Sequence, residues 1–516
     1  MKPPFLKHDP QTAGPQYLED LATGYWFSEV LFTAVEAEIF TLLATGGKTA
    51  GEIAGMLNYN RHGAERFLHA LCAMGLLASD GEFFFNTGGS QEYLVKGKEN
   101  YQGDSILWRQ YLNSHWQSLG KCLEAGGRVN FPPPGESSGR IEERTRCYIR
   151  AMDGIARLKV QEIIPLFRSI SLAGEMLDVG AGSGAFADGF LDYYPLLRAT
   201  LLDLPRVLDN AEELMGKRGL AERVTCCPGN ILEPWPVRNK RYDLIILSNI
   251  IHAYSEREVP GILARAAECL KPEGFLIIHD FFFEHCPEKA ALSDLNMFIN
   301  TYNGKVFSAP WVQEELKKQN LSVTGMIPLQ TDSAVIIATA EEKNLAQLCV
   351  TPEARLAAGI KDLGFRRVCP LPVESVHVPG WVNLRCRFGC EYYGKPHCPP
   401  ETIAPEKTRE LLGNYNRALL LEGEPPGRTF QRRVLQAERE AFKAGFYKAL
   451  TFWAGHCALC ENCAPDGICR NNRDARPSME GAGIDVFETV RRAGLSLRTL
   501  NKKSDYVKYF ALLLLE

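Results

Sequence analysis

The sequence predicts an α/β protein built on a doubly wound parallel sheet, with a helical, winged-helix-like unit before it and a small cysteine-rich α+β unit after it. Three observations carry this prediction. Strand-like apolar runs alternate with helical periodicity from residue 174 to 340. The first run, ending Met176-Leu177-Asp178-Val179, stops at Gly180, Gly182 and Gly184 before helical spacing resumes. Seven of the 16 cysteines fall in the 84 residues from 386 to 469. At 516 residues the chain exceeds a single core, and the expected divisions are 1–100, 101–343 and 344–516.

Composition excludes some functions. A net charge of -4 gives no electrostatic case for nucleic acid or an anionic membrane. No apolar run approaches the roughly 18 residues that cross a bilayer. The N-terminus lacks a basic-then-apolar leader, so the expectation is a cytoplasmic protein without nucleic-acid or membrane partners.

Taken in order, residues 1–15, with Pro3, Pro4, Pro10 and Pro15, read as a loose lead-in. Leu18, Leu21, Phe27, Val30, Leu31, Val35 and Ile39 recur at helical steps up to Leu43. Thr49-Ala50-Gly51-Glu52 is a capping box, and Asn60 is placed to start a further helix running to Leu77. Ser79-Asp80-Gly81-Glu82 turns a hairpin into Phe83-Phe84-Phe85. Helices followed by a hairpin suggest DNA binding. The first 100 residues carry 7 Lys and Arg against 12 Asp and Glu, however, which favours a dimerisation module. Between 101 and 170 the spacing predicts more helix with a break at Phe131-Pro132-Pro133-Pro134-Gly135, and Trp108, Tyr111, Trp116 and Met152 suit either a core or a pocket wall.

The expected strands of the sheet are Glu175–Val179, Arg198–Leu202, Val224–Cys227, Leu244–Ser248, Phe275–His279, a weaker one near Leu321–Met326, and Ala334–Ala338. Ligands of such sheets lie beyond the carboxyl ends of the strands. Asp203 ends the second strand, nineteen residues after Gly184, where a carboxylate accepts from a ribose diol. Asn230 follows the third strand, where an amide reads an adenine edge or caps a turn. His252 follows the fourth strand and Asp280 ends the fifth. Neighbouring strands would bring them together as a base oriented by an acid, although a histidine on an apolar segment also suits a satisfied core position.

At these residues the segment 17–340 resembles the class I S-adenosylmethionine-dependent O-methyltransferases of the caffeic-acid and hydroxyindole type, whose Rossmann-like catalytic domain follows a winged dimerisation domain. The matching pieces are Leu177-Asp178-Val179-Gly180-Ala181-Gly182-Ser183-Gly184, Leu202-Asp203-Leu204-Pro205, Pro228-Gly229-Asn230-Ile231-Leu232 and Ile250-Ile251-His252-Ala253-Tyr254-Ser255-Glu256. The resemblance implies His252 as catalytic base and Asp280 as the acid that steadies it. It also implies a cofactor site of Asp178, Gly180, Gly182, Gly184, Asp203, Leu204, Gly229, Asn230, Ile231 and Ser248. The implied cofactor is S-adenosyl-L-methionine, the substrate a small aromatic hydroxyl compound, and the assembly a homodimer through the N-terminal unit. Two positions depart from the family: Asn230 stands where Asp is usual, and Val306 where plant members have a second acid. Transfer to a heteroaromatic nitrogen or carbon is an alternative. So is a binding module gating an electron-transfer tail.

In the tail, helical spacing runs over Pro352–Leu363 and Thr429–Gly445, and strands are expected at Arg417–Leu421, Ala449–Trp453 and Tyr509–Leu515. The cysteines read Cys386-x3-Cys390-x7-Cys398 and Cys457-x2-Cys460-x2-Cys463-x5-Cys469. Two-residue spacings let one turn present both sulfurs to one metal. Three close cysteines plus a fourth suit a 4Fe-4S cluster better than zinc, which stays open with His397 or His456 replacing a sulfur. Most of 350–516 resembles a cysteine-rich predicted metal-binding family of unknown function.

Overall fold

The computed structural model describes residues 15–129, 135–423, 427–464, 466–497, 499 and 508–516. Pro3, Pro4 and Pro10 of the expected lead-in and Phe131–Pro134 of the expected break lie outside them. Two compact units form: one comprises residues up to Ile164 together with Ser171–Gln347, the other Pro165–Ile170 together with Leu348–Glu516. Among the described residues no helix is long and apolar enough to cross a membrane.

At the start of the first unit the single helical stretch expected over 17–43 is three helices, Pro15–Ala22, Tyr25–Glu36 and Ile39–Leu42. The break at Glu38 is a left-handed residue, φ +53, which a continuous helix cannot contain. Pro15 opens a helix and is not part of a loose lead-in. The Thr49 capping box forms on both sides. Asn60 caps Arg61–Ala73 by accepting from the Gly63 N–H at 3.1 Å. That helix stops before Leu77, because Gly75 turns the chain with φ +73 and Leu77 starts a strand. A three-stranded sheet follows from β1 (Lys48–Thr49), β2 (Leu77–Ser79) and β3 (Phe83–Asn86) in the order β1-β3-β2.

The main sheet contains β4 (Glu175–Val179), β5 (Arg198–Asp203), β6 (Val224–Pro228), β7 (Tyr242–Ser248), β8 (Leu270–Asp280), β9 (Ser322–Val323), β10 (Ile327–Pro328) and β11 (Ala334–Thr339). Its order is β10-β11-β8-β7-β4-β5-β6, with β9 also on β11. β4 to β8 are parallel as expected. β11 is antiparallel to β8, so the sheet is mixed and not wholly parallel. The fully apolar runs Leu244–Leu247 and Phe275–Ile278 are buried because helices cover both faces. Val259, Ile262, Leu263, Val312 and Leu316 pack into one face with Leu177, Ile245 and Ile336.

In the second unit β12 (Arg367–Pro372), β13 (Arg417–Gly423), β14 (Leu450–Phe452) and β15 (Tyr509–Leu514) form an antiparallel sheet ordered β12-β13-β15-β14. β12 was not expected, since its Pro370 and Pro372 argue against a strand, and they are tolerated at the edge. Alternation sorts two cores. Leu419, Leu421, Ala511 and Leu513 face Phe430, Val434 and Ala441 of the helix Arg428–Lys443. Ala418, Leu420, Leu512 and Leu514 face Met479, Ile484 and Val490. Cys457 and Cys469 pack against the first of these cores.

Candidate active site and candidate metal centre

The loop after β4 follows a left-handed path, with φ of +67, +58 and +77 at Gly180, Gly182 and Gly184. At Gly180 a Cβ would fall 2.2 Å from Ile250 Cδ1, so only glycine passes there. Gly182 N–H donates to Asp203 Oδ2 at 2.9 Å and Leu204 N–H to Oδ1 at 2.7 Å, fixing that carboxylate against the loop. Burial pushes the Asp203 carboxyl up. Beneath it Asp178 accepts from the Ala187 N–H at 3.3 Å. Burial pushes Asp178 to about 8, the Asp203 charge adding to the effect.

After β6, Gly229 N–H donates to the Asp203 carbonyl at 2.9 Å. Asn230 turns its side chain inward on its own loop, Oδ1 accepting from Leu232 N–H at 3.0 Å. Ile231 is buried, and Leu204 is exposed. Gly182, Asp203, Leu204 and Gly229 are thus tied into one hydrogen-bonded corner, and Asn230 Oδ1 accepts within its own turn.

The second corner lies at the ends of β7 and β8. His252 occupies a short turn, Ile251–Ala253. Its Nδ1 stands 2.5 Å from Asp280 Oδ1, and its backbone N–H donates to Oδ2 at 3.3 Å. Phe281 N–H donates to Oδ1 at 2.8 Å. Asp280 is 1% exposed and the His252 ring 13%. With Nδ1 engaged, Nε2 is the nitrogen left to act as a base. Gly304 packs against this turn, where a Cβ would lie 2.4 Å from the His252 carbonyl oxygen. Val306 is buried, and its N–H donates to Asp294 Oδ1 at 2.7 Å.

Ser248, expected in the cofactor site, is hydrogen-bonded to His279, Oγ to Nδ1 at 2.7 Å. The other ring nitrogen of His279 meets Ser333 Oγ at 2.8 Å. Burial pushes this imidazole down to about 3, so it is a neutral bridge across three strands. Sequence reasoning missed it, because cross-strand register is invisible before the sheet order is known. It also missed Asn249, held at φ +55, whose buried Oδ1 has no hydrogen-bond partner among the described residues. Helix Pro287–Asn300 packs on both the His252 turn and helix Gly103–Trp116. There Asn300 Oδ1 meets His115 Nδ1 at 2.6 Å, and Trp116 Nε1 donates to Asn296 Oδ1 at 3.1 Å. Trp108 and Tyr111 stack at 4.9 Å beside them.

Residues 19–96 match the model of an O-methyltransferase dimerisation domain, and residues 127–319 that of an O-methyltransferase domain. This part of the chain is an O-methyltransferase. Behind the O-methyltransferase, residues 369–515 match a predicted metal-binding protein family, DUF2284. Over 300 residues the chain is 29% identical to 3-hydroxy-5-methyl-1-naphthoate 3-O-methyltransferase of Streptomyces sahachiroi, covering 57% of this chain and 86% of that one. It is 28% identical over 292 residues to the N,N-dimethyltransferase OxyT of Streptomyces rimosus, covering 55% and 82%. An O-methyltransferase family protein from Burkholderia thailandensis superposes with a TM-score of 0.55 at 25% identity, over 63% of this chain and 98% of that one. This O-methyltransferase is S-adenosylmethionine-dependent, and the glycine corner fits that cofactor: a close-approach loop beside a fixed carboxylate with lone pairs to spare.

The seven clustered cysteines of the tail are sorted by the fold. Cys457, Cys460, Cys463 and Cys469 line one cavity of about 140 Å³ together with His397. Cys386 and Cys390 line another, of about 540 Å³, with Trp381, Glu480 and Tyr509. Cys398 is buried. Burial pushes its thiol to about 11, with Cys390, Cys386, Cys457 and Cys463 adding to the shift. Among the described residues no three His, Cys, Asp or Glu side chains converge at a single point fit for one ion. The four thiols line the smaller cavity with His397, a donor set whose chemistry fits a metal centre.

Proposed function

We propose that this enzyme methylates the hydroxyl of a small aromatic compound, with His252 as general base, Asp280 as its positioning acid and the glycine corner as the cofactor site. The observation that carries the reading is the 2.5 Å contact between His252 Nδ1 and Asp280 Oδ1. S-adenosylmethionine, when bound, supplies a methyl already activated on a sulfonium. The protein then has two tasks: hold the acceptor oxygen in line and take its proton. A phenol of pKa about 10 can yield its proton to His252 Nε2 as the methyl moves, because the buried Asp280 carboxylate stabilises the imidazolium that results. Gly180, Gly182, Gly184 and Asp203 would lie along the methionine and ribose, with Asp178, Leu204, Gly229, Asn230, Ile231 and Ser248 around them.

His252→Ala tests this reading. Turnover with a phenolic acceptor is expected to fall about 10²- to 10⁴-fold while cofactor binding, followed by calorimetry, is retained. A loss within a few-fold would end the proposal. The likeness to an N,N-dimethyltransferase favours transfer to nitrogen as the second reading, and locating a labelled methyl in the product separates the two.

In the same reading residues 1–100 form a homodimer. Leu18, Leu21, Tyr25 and Trp26, all exposed in the single chain, supply apolar surface for it. Residues 101–343 carry the chemistry and 344–516 a metal centre, an iron-sulfur cluster held first by Cys457, Cys460, Cys463 and Cys469.

A further inference from the structure

We propose that His397 Nε2 is a ligand of the tail's metal centre, a nitrogen donor in place of one of the sulfurs around the smaller cavity. The inference rests on the metal-centre reading above and concerns which side chains complete it.

Four observations converge on His397. Its side chain lines the same cavity as Cys457, Cys460, Cys463 and Cys469. Its Nε2 is buried and has no hydrogen-bond partner among the described residues. Leaving a buried polar group unpaired is unfavourable, so a ring nitrogen in that position calls for a partner. Its backbone is left-handed, φ +62, a conformation that disfavours residues other than glycine. Two unfavourable features at one residue on a thiol-lined wall are accounted for together if the ring serves a bound group there.

The other nearby histidine is employed differently. The His456 ring stacks on Tyr392, with centroids 3.7 Å apart and planes within 5°. Its backbone carbonyl accepts from Gln431 Nε2 at 2.8 Å. Of the two histidines that the sequence offers as replacements for a sulfur, the geometry therefore selects His397.

The cysteine spacing leaves room for such a ligand. In a C-x2-C-x2-C run the three sulfurs take neighbouring positions on one cluster, and a further ligand comes from elsewhere in the chain. Asn471 Nδ2 already donates to Cys460 Sγ at 2.8 Å, so that sulfur has its supporting contact. A neutral imidazole in place of a thiolate removes one negative charge from the centre and raises its reduction potential.

The test uses the full chain, purified anaerobically and supplied with ferrous iron and sulfide. Pulsed electron paramagnetic resonance of the reduced protein is expected to show a strongly coupled ring nitrogen. That signal should vanish in His397→Ala and persist in His456→Ala. His397→Cys guards against a variant that cannot hold the centre: it should keep iron, lose the nitrogen coupling and show a lower midpoint potential. A wild-type spectrum without the coupling, or a coupling that survives His397→Ala, overturns the inference. Protein that takes up no metal overturns the metal-centre reading itself, an outcome read from metal content and separate from either of these.

Discussion

In the methyltransferase unit the polar site atoms are held by strand ends and the turns directly after them, whereas the four later thiols of the tail, Cys457 to Cys469, lie outside its helices and strands. Asp203 and Asp280 each take two or more hydrogen bonds from neighbouring backbone or side chains. Those two corners are assembled by the parallel register of β4, β5, β7 and β8, which holds their geometry on rigid elements. Cys460 and Cys463 lie between β14 and the helix Val486–Arg492, in no strand or helix, and thiolate sites of this kind couple metal binding to folding. The first arrangement suits chemistry that needs alignment. The second couples folding to loading.

Removing the tail's metal attacks the comparison hardest. Structural thiolate sites contribute on the order of 10 kcal/mol of folding energy. Chelation, or Cys457→Ser, is therefore expected to abolish the tail's own thermal transition and leave the methyltransferase transition in place, as read by differential scanning calorimetry. A tail that melts identically with and without metal would show that its sheet needs no such support.

A smaller effect is expected at the glycine corner. Gly180→Ala forces a left-handed alanine, costing about 1–2 kcal/mol, into the space of the Ile250 side chain. Cofactor affinity should drop about tenfold or more with the fold intact, as titration calorimetry would show. Unchanged affinity would mean that the loop has slack.

The smallest effect is a pH dependence. His279 has its folded pKa pushed down to about 3, below the unfolded value of about 6.5. The unfolded chain therefore binds the extra proton first, and His279 costs stability progressively as pH falls from about 6.5 toward 3. His279→Asn should destabilise at pH 7.5 by loss of its two serine contacts and lie closer to the wild-type melting temperature at pH 5. An equal gap at both values would mean that the histidine is not held neutral.

Much of the architecture was legible because it rests on local rules. The glycine loop, Asp203, His252 and Asp280 all stand where a parallel sheet ends its strands, and apolar runs mark those strands plainly. What escaped depends on long-range register. The antiparallel β11 brings Ser333 onto His279, and nothing near either residue announces the pairing. Asn230 suits either an adenine edge or a turn from its sequence, and the bond its Oδ1 accepts from Leu232 N–H is a matter of its own loop. The cysteines read as two groups along the chain; Cys386 and Cys390 line one cavity and the four later thiols another, and what spacing cannot express is that Cys398 feels the charge of both.

The six residues Pro165–Ile170 belong to the tail's unit although they precede the methyltransferase sheet in the chain. Leu166 and Phe167 are buried there, and the Leu166 carbonyl accepts from the Cys349 N–H at 2.8 Å. During synthesis this segment leaves the ribosome before β4, yet the Cys349 N–H that it binds follows only after the whole methyltransferase sheet. A gene shortened after codon 347 would leave the Leu166 carbonyl without that donor, so a single cut does not part the two units cleanly.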